Sequence, residues 1–279
     1  MSKTLYISDL DGTFLQPNER ISEFCCKTIN RLVQNGLLFS YATARSYHTA
    51  RKCTAGLNAK IPLIVYNGAL IVDNETGTIL KENTFSESQA ADILELLQEC
   101  GVHPIVYSLI DGKEKFSYDQ TSIPAATLNF LNQRRGDRRD HPLFGTEHLL
   151  DGKVYYFSCI DEAERLLKAD QLIRTRFGDI CNQVCQKDIY SGDQWLEIMP
   201  AAASKAHAAR QLKQLTGADK LITFGDGKND LPLFEAADEC YAVANAHPLL
   251  KSAATGIIGA NTEDGVIRWM LERSEKNML

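Results

Sequence analysis

The sequence contains no apolar run near the roughly 20 residues that would cross a bilayer, so no membrane association is expected. It has no basic excess. The formal net charge is −6, which speaks against general nucleic-acid binding, because that needs a basic face. Eight cysteines are present, at positions 25, 26, 53, 100, 159, 181, 185 and 240, but none forms a Cys-x-x-Cys pair. The most metal-like spacing, Cys181 with Cys185, has no His-x-x-x-His partner, so a zinc module is not expected. Such cysteines read as reduced, mostly buried thiols of a cytoplasmic protein. An apolar strand-like run begins within a few residues of Met1, which leaves no room for a signal peptide. There are no internal repeats and no low-complexity segment. A Gly-x-Ser-x-Gly elbow is missing, Gly225-x-Gly227 lacks the third glycine of a dinucleotide fingerprint, and Ile222 stands where a P-loop before Gly227-Lys228 would need its first glycine. The six histidines are scattered. What remains is a globular composition over 279 residues, 44% hydrophobic and 24% charged, enough for one large or two modest domains.

Within that frame one stretch stands out. Thr4 to Ser8 is β-branched, apolar and aromatic, and reads as a buried strand. Asp9 and Asp11 follow at i, i+2, then Gly12 and Thr13. Side chains alternate along extended backbone, so the two carboxylates point the same way at a strand's carboxyl end. Two charges that close repel by about 4 kcal/mol at 4 Å and an effective dielectric of about 20. A shared proton, a lysine or a divalent cation must offset this. Gly12 allows the sharp turn away.

Further along, Ile21 to Gln34 has helical spacing and ends at Gly36. Leu37 to Ala42 reads as a strand leading into Thr43-Ala44-Arg45-Ser46, and Pro62 to Tyr66 as a third strand before Asn67-Gly68. Ala69 to Val72 and Thr78 to Leu80 form a hairpin. From about Ser86 adjacent strands and helices replace strict alternation, and Arg134 to Asp140 reads as an exposed charged loop. Alternation resumes with a strand at Leu196 to Met199, a helix from Ser204, and a strand at Leu221 to Phe224 before Gly225-Asp226-Gly227-Lys228-Asn229-Asp230. The expected fold is α/β: a doubly wound, Rossmann-like parallel sheet from residues 1–83 and 191–279, with an inserted α+β cap at 84–190.

Asp9 and Asp11, Thr43, Lys205, and Asp226 to Asp230 all fall near ends of expected core elements, which in a doubly wound sheet converge on one crevice. Asp9, Asp11 and Asp226 would offer hard oxygen ligands suited to Mg²⁺, with Thr43 supplying a hydroxyl and Lys205 a positive charge.

These motifs together resemble the haloacid dehalogenase superfamily, specifically its Cof-like phosphatases, whose cap lies between the second and third motifs. Asp9 to Thr13 resembles the first motif, Tyr41 to Arg45 the second, Ser204-Lys205 the third and Gly225 to Asp230 the fourth, with Tyr66 to Ile71 and Glu263 to Val266 as secondary landmarks. The resemblance implies that Asp9 attacks phosphorus, that Asp11 protonates the leaving oxygen and then activates water, and that Thr43 and Lys205 hold and neutralise the phosphoryl group. It places Asp9, Asp11, Asp226 and Asp230 around Mg²⁺, and Gly12, Ala44, Arg45, Asn67, Gly68 and Asn229 on the phosphate or substrate side. The implied activity is hydrolysis of a small phosphorylated metabolite (a sugar phosphate, nucleotide or phosphorylated cofactor) by a monomer or weak homodimer. A phosphomutase, or a non-catalytic regulatory protein that keeps the fold, is the alternative. A dehalogenase is disfavoured by Asp11. One departure is Pro200-Ala201-Ala202-Ala203, where such proteins usually carry Pro-Lys-Gly.

Overall fold

The computed structural model describes residues 3–188 and 190–275. The chain forms two compact units, one from the residues up to Glu82 with those from Ser204 onward, the other from Asn83–Ala203.

The first unit is built on a five-stranded sheet in the order Gly256–Ile258, Glu239–Val243, Lys220–Gly225, Thr4–Ser8, Leu38–Tyr41. Every pairing in it is parallel. From the interior Thr4–Ser8 strand the chain goes first to one neighbour and later to the other. That reversal is a topological switch point, and the crevice outside its carboxyl ends is where such sheets bind ligands. The strand is buried on both faces, Leu5 and Ile7 on one and Tyr6 on the other. The helix Glu23–Gln34 starts where Ser22 accepts the Cys25 N–H, and it buries Cys25, Thr28, Ile29, Leu32 and Val33, an amphipathic stripe that leaves Phe24 exposed. A second sheet in this unit is antiparallel and joins Leu63–Val65, Leu70–Val72 and Ile79–Glu82. The hairpin around residues 73–78 is as read from sequence. The run at Leu63–Val65, however, belongs to this small sheet and touches the main one through a single parallel bridge, Ala42 to Ile64.

The second unit has a six-stranded sheet in the order Cys181–Lys187, Gln194–Pro200, Lys153–Asp161, Ile105–Ile110, Lys113–Asp119, Asp140–Leu143. Helices Glu87–Glu99 and Ala163–Phe177 supply Ile93, Leu97, Leu166, Ala169 and Ile173 to a core shared with Val106, Phe157, Cys159, Leu196 and Ile198 of the sheet. The sequence reading put Leu196–Met199 in the catalytic sheet and the second boundary at 190. In the structure Gln194–Pro200 is an interior strand of the second sheet, antiparallel to a neighbour on each side, and the unit runs to Ala203. A short apolar run states that it will be buried, but not in which sheet.

The charged loop is also less exposed than expected. Arg139 is buried, its Nε and Nη2 donate to Asp137 at 3.0 and 2.7 Å, and it faces Glu114. Arg134 stacks on the Phe130 ring at 3.4 Å. A planar, weakly hydrated guanidinium accepts such packing where a lysine would not. Arg135 and Arg138 remain exposed. Among the described residues no helix is long and apolar enough to cross a membrane.

Candidate active site

The Asp9 N–H still donates to the Phe224 carbonyl at 2.9 Å, so its side chain leaves the Thr4–Ser8 strand at the last paired position. On one side the Ala42 N–H donates to Ser8 O at 2.9 Å and Thr43 follows. On the other, Gly225 ends its strand and Asp226 follows. Three adjacent parallel strands thus release Asp9, Thr43 and Asp226 at the same end.

Lys205 arrives differently. The sequence reading gave it a preceding core strand, but it opens the helix Lys205–Thr216 behind the N-cap Ser204, whose side chain accepts the His207 N–H. The chain reaches this position by passing tightly against Gly68, which has φ of +99°, and a Cβ there would lie 2.4 Å from the Ser204 carbonyl oxygen. Gly68→Ala is therefore expected to cost about 2 kcal/mol of stability or more and to lower kcat by displacing Lys205. Thermal melts with steady-state rates check this, and wild-type values of both would show the approach to be slack.

The ammonium of Lys205 sits between two carboxylates, 2.5 Å from Asp9 Oδ1 and 2.8 Å from Asp230 Oδ1, with all three side chains buried. Asp230 is fixed on its other oxygen by the N–H groups of Asp226 and Gly227, both at 3.1 Å. Asp226 Oδ1 accepts the Thr13 hydroxyl at 2.7 Å. Its other oxygen lies where a Cβ on Gly12 would be, at 2.3 Å, so Gly12 contributes room as well as its turn at φ of +80°. The Gly12 carbonyl is held by Asn245 Nδ2 at 2.7 Å.

Three carboxylates against one ammonium leave this pocket short of positive charge. Burial pushes Asp9 well above the usual carboxylate range, Lys205 pulls it back, and Asp230, Asp226 and Asp11 add to the rise. Burial and then the Asp230 charge lift Asp226 to about 7. Burial alone would lower Lys205, but Asp230 and Asp9 outweigh it and hold its charge firmly. One ligand oxygen from each of Asp9, Asp226 and Asp230 can be chosen so that all lie within 4.8 Å of one another. Such an all-oxygen set with excess negative charge is what a hard divalent cation takes, so these residues fit Mg²⁺.

Asp11 stands outside that cluster. Arg45 Nε donates to both of its carboxylate oxygens, at 3.0 and 2.8 Å, and Arg45 Nη2 donates to Oδ1 at 2.6 Å. The same Nη2 reaches Glu19 Oε2 at 2.7 Å, and Nη1 lies 3.0 Å from Cys53 Sγ. Arg45, expected on the phosphate side, is here the partner of Asp11, and Asp11, expected among the metal ligands, has its side chain on Arg45. A bidentate guanidinium is the strongest carboxylate partner available.

Of the remaining expected residues, Ala44 and Asn67 gather around Thr43. Thr43 is fully buried and its Oγ1 accepts the Arg45 N–H at 3.1 Å, so its hydroxyl hydrogen is left to donate elsewhere. Ala44 sits in that turn. Asn67, in the left-handed region at φ of +53°, donates its N–H to Thr43 O at 2.9 Å. Asn229 is half-buried, and Gly227 gives its side chain room. Sequence reasoning missed Glu19 and Asn245, which act across 26 and 233 residues, and Cys53, eight residues beyond Arg45, and gave Thr13 no role although it lies inside the first motif.

The family model described as haloacid dehalogenase-like hydrolase matches residues 6–270. The chain is 25% identical over 269 residues to 5-amino-6-(5-phospho-D-ribitylamino)uracil phosphatase YitU of Bacillus subtilis, covering 95% of each. It is 25% identical over 249 residues to the HMP-PP phosphatase of Serratia proteamaculans, covering 88% of this chain and 85% of that one. A crystal structure of a haloacid dehalogenase-like hydrolase from Bacteroides thetaiotaomicron superposes with a TM-score of 0.77 at 22% identity, covering 98% and 99% of the two chains.

Proposed function

Because the chain belongs to the haloacid dehalogenase-like hydrolases and is a phosphatase of that family, we propose that it is a Mg²⁺-dependent phosphomonoesterase working through an aspartyl-phosphate on Asp9. The observation that carries this is the clamped nucleophile: a buried Asp9 held on one oxygen by Lys205, beside Asp226 and Asp230, at the switch point of the parallel sheet. Lys205 offsets part of the cost of ionising Asp9 and holds one of its oxygens, leaving the second to attack phosphorus as the bond to the leaving oxygen breaks. Asp11 gives its proton to that oxygen, then takes one from water in the second step, which releases inorganic phosphate and restores Asp9. The Thr43 hydroxyl and nearby backbone N–H groups hold phosphoryl oxygens, and we assign Asn229 to the same task. Asp9 and Asp226, with Asp230 beside or behind them, would hold Mg²⁺, which when bound neutralises phosphoryl charge. Asp230, whose oxygens already serve Lys205 and two N–H groups, mainly fixes the others.

The two named relatives act on different phosphorylated compounds, so the reaction is common to them and the substrate is not. We assign the choice of substrate to the unit Asn83–Ala203, since the residues of the chemistry all come from the other. All eight thiols are free, in keeping with a cytoplasmic, reducing setting.

The test is phosphate release from a panel of phosphorylated metabolites with Mg²⁺ and with chelator. Release that needs Mg²⁺, with Asp9 recovered as its phosphoryl adduct after acid quench, is expected. No release from any member would overturn the reading. A second expectation concerns Asp11. Asp11→Asn should lower kcat/KM, which reports the first chemical step, by about 10²-fold or more for phenyl phosphate, whose leaving oxygen needs a proton, and much less for p-nitrophenyl phosphate. Equal losses of kcat/KM on the two esters would remove Asp11 as the general acid.

A further inference from the structure

Glu19 lies in a turn where its conformation is unusual. The Gln16 N–H donates to Arg20 O and the Glu19 N–H to Gln16 O, both at 2.9 Å, which closes a tight loop over residues 16–20. Pro17 sits at the turn's second position, and Glu19 takes the left-handed region at φ of +58°. Loops of this shape ordinarily place glycine there, because a side chain is strained in that region. Here the position carries a glutamate whose carboxylate meets Arg45 Nη2 at 2.7 Å, and the same nitrogen meets Asp11 Oδ1 at 2.6 Å. The Arg45 side chain is 14% exposed and Glu19 43%, so Glu19 closes the solvent side of a guanidinium whose inner side is on Asp11.

We propose that Glu19 is a positioning residue for the leaving-group end of the reaction: it anchors the Arg45 guanidinium, and through it fixes where the Asp11 carboxyl group sits. Glu19 touches neither substrate nor the reacting atoms. Without it Arg45 keeps Asp11 but loses its outer anchor, and the Arg45–Asp11 pair swings together. A proton donor must lie within hydrogen-bond reach of the leaving oxygen, so a shift of the pair is felt most where proton donation matters most. The proposal rests on the reading of Asp11 as general acid.

Glu19→Gly is the informative variant, because glycine adopts φ of +58° without strain. The melting temperature should stay within about 2 °C of wild type, relief of strain offsetting the lost bridge. The value of kcat/KM for phenyl phosphate should fall about tenfold, while that for p-nitrophenyl phosphate falls less than about twofold. Glu19→Gln, which keeps an acceptor, should recover part of the loss. In the Asp11→Asn background the same change should have no further effect on either ester. A lowered melting temperature with parallel losses on both esters would make Glu19 a structural tie and overturn the proposal, as would an effect that persists without the Asp11 carboxylate. If Asp11→Asn itself fails to discriminate between the esters, the general-acid reading falls and the proposal with it. If Asp11→Asn discriminates and Glu19→Gly does not, the proposal alone is lost.

Discussion

Asp9→Asn is expected to lower phosphate release by at least about 10⁴-fold, the scale seen when nucleophiles are removed elsewhere. An amide oxygen carries no charge with which to attack phosphorus, and none of the neighbouring carboxylates can take over. Asp226 and Asp230 are each engaged on at least one oxygen, and Asp11 is held by Arg45. The fold should survive. Burial holds Asp9 well above the usual carboxylate range, so its charge is a burden on the metal-free protein, and a neutral residue of the same shape removes it. Lys205 keeps Asp230 as its partner at 2.8 Å and is not left as an unpaired buried charge. The variant should therefore melt at or above the wild-type temperature in chelator while being inactive. Steady-state phosphate release within tenfold of wild type would remove Asp9 as the nucleophile. Inactivity with a lower melting temperature would mean that the loss is structural.

The parts of this site that were legible in the sequence are those where chemistry and local backbone share a few residues. Asp9, Gly12 and Thr13 follow a strand, Thr43 follows another, and Asp226 to Asp230 follow a third, so strand ends and polar residues locate one another. Lys205 was legible as a helix start after Ser204, but the strand before it was given to the wrong sheet, since hydrophobic periodicity carries no partner identity. Arg45 was found by its motif and not by its contacts. Its pairing with Asp11 and Glu19 spans 34 and 26 residues, and nothing local in Gln16-Pro17-Asn18-Glu19 distinguishes an anchored glutamate from a solvated turn. The strand Asp140–Leu143 was missed because Pro142 argues against a strand interior. It lies at the sheet's edge, where a missing N–H is tolerated. Arg134 and Arg139 show the limit of reading a charge run as surface, because the Phe130 ring one helical turn back and the carboxylates of Asp137 and, on the neighbouring strand, Glu114 decide its burial.

Removing divalent metal is expected to stop turnover and to give the protein a stability that falls as pH rises from about 4 to about 7. In the metal-free fold Asp226 keeps its proton up to about pH 7, whereas in the unfolded chain it releases it near the ordinary carboxylate value of about 4. Between those limits the folded state holds more protons than the unfolded one, so raising the pH favours unfolding, and above about pH 7 the Asp226 penalty is complete and levels off. Asp9 is displaced in the same direction and adds to the slope. The total is on the order of a few kcal/mol. Mg²⁺ should reverse this, because it competes with those protons and binds the folded state alone. At a hundredfold excess over its dissociation constant it adds about 2.7 kcal/mol, which in a chain of this size raises the melting temperature by several degrees, about 2–4 °C for each kcal/mol. The gain should be larger at pH 8 than at pH 5.5. Melting curves in chelator and across a Mg²⁺ series at both values decide it, with Asp226→Asn as the control that should flatten the slope in chelator and blunt the Mg²⁺ response. Melting temperatures that ignore Mg²⁺ at pH 8 would show that Asp9, Asp226 and Asp230 do not form one cation site.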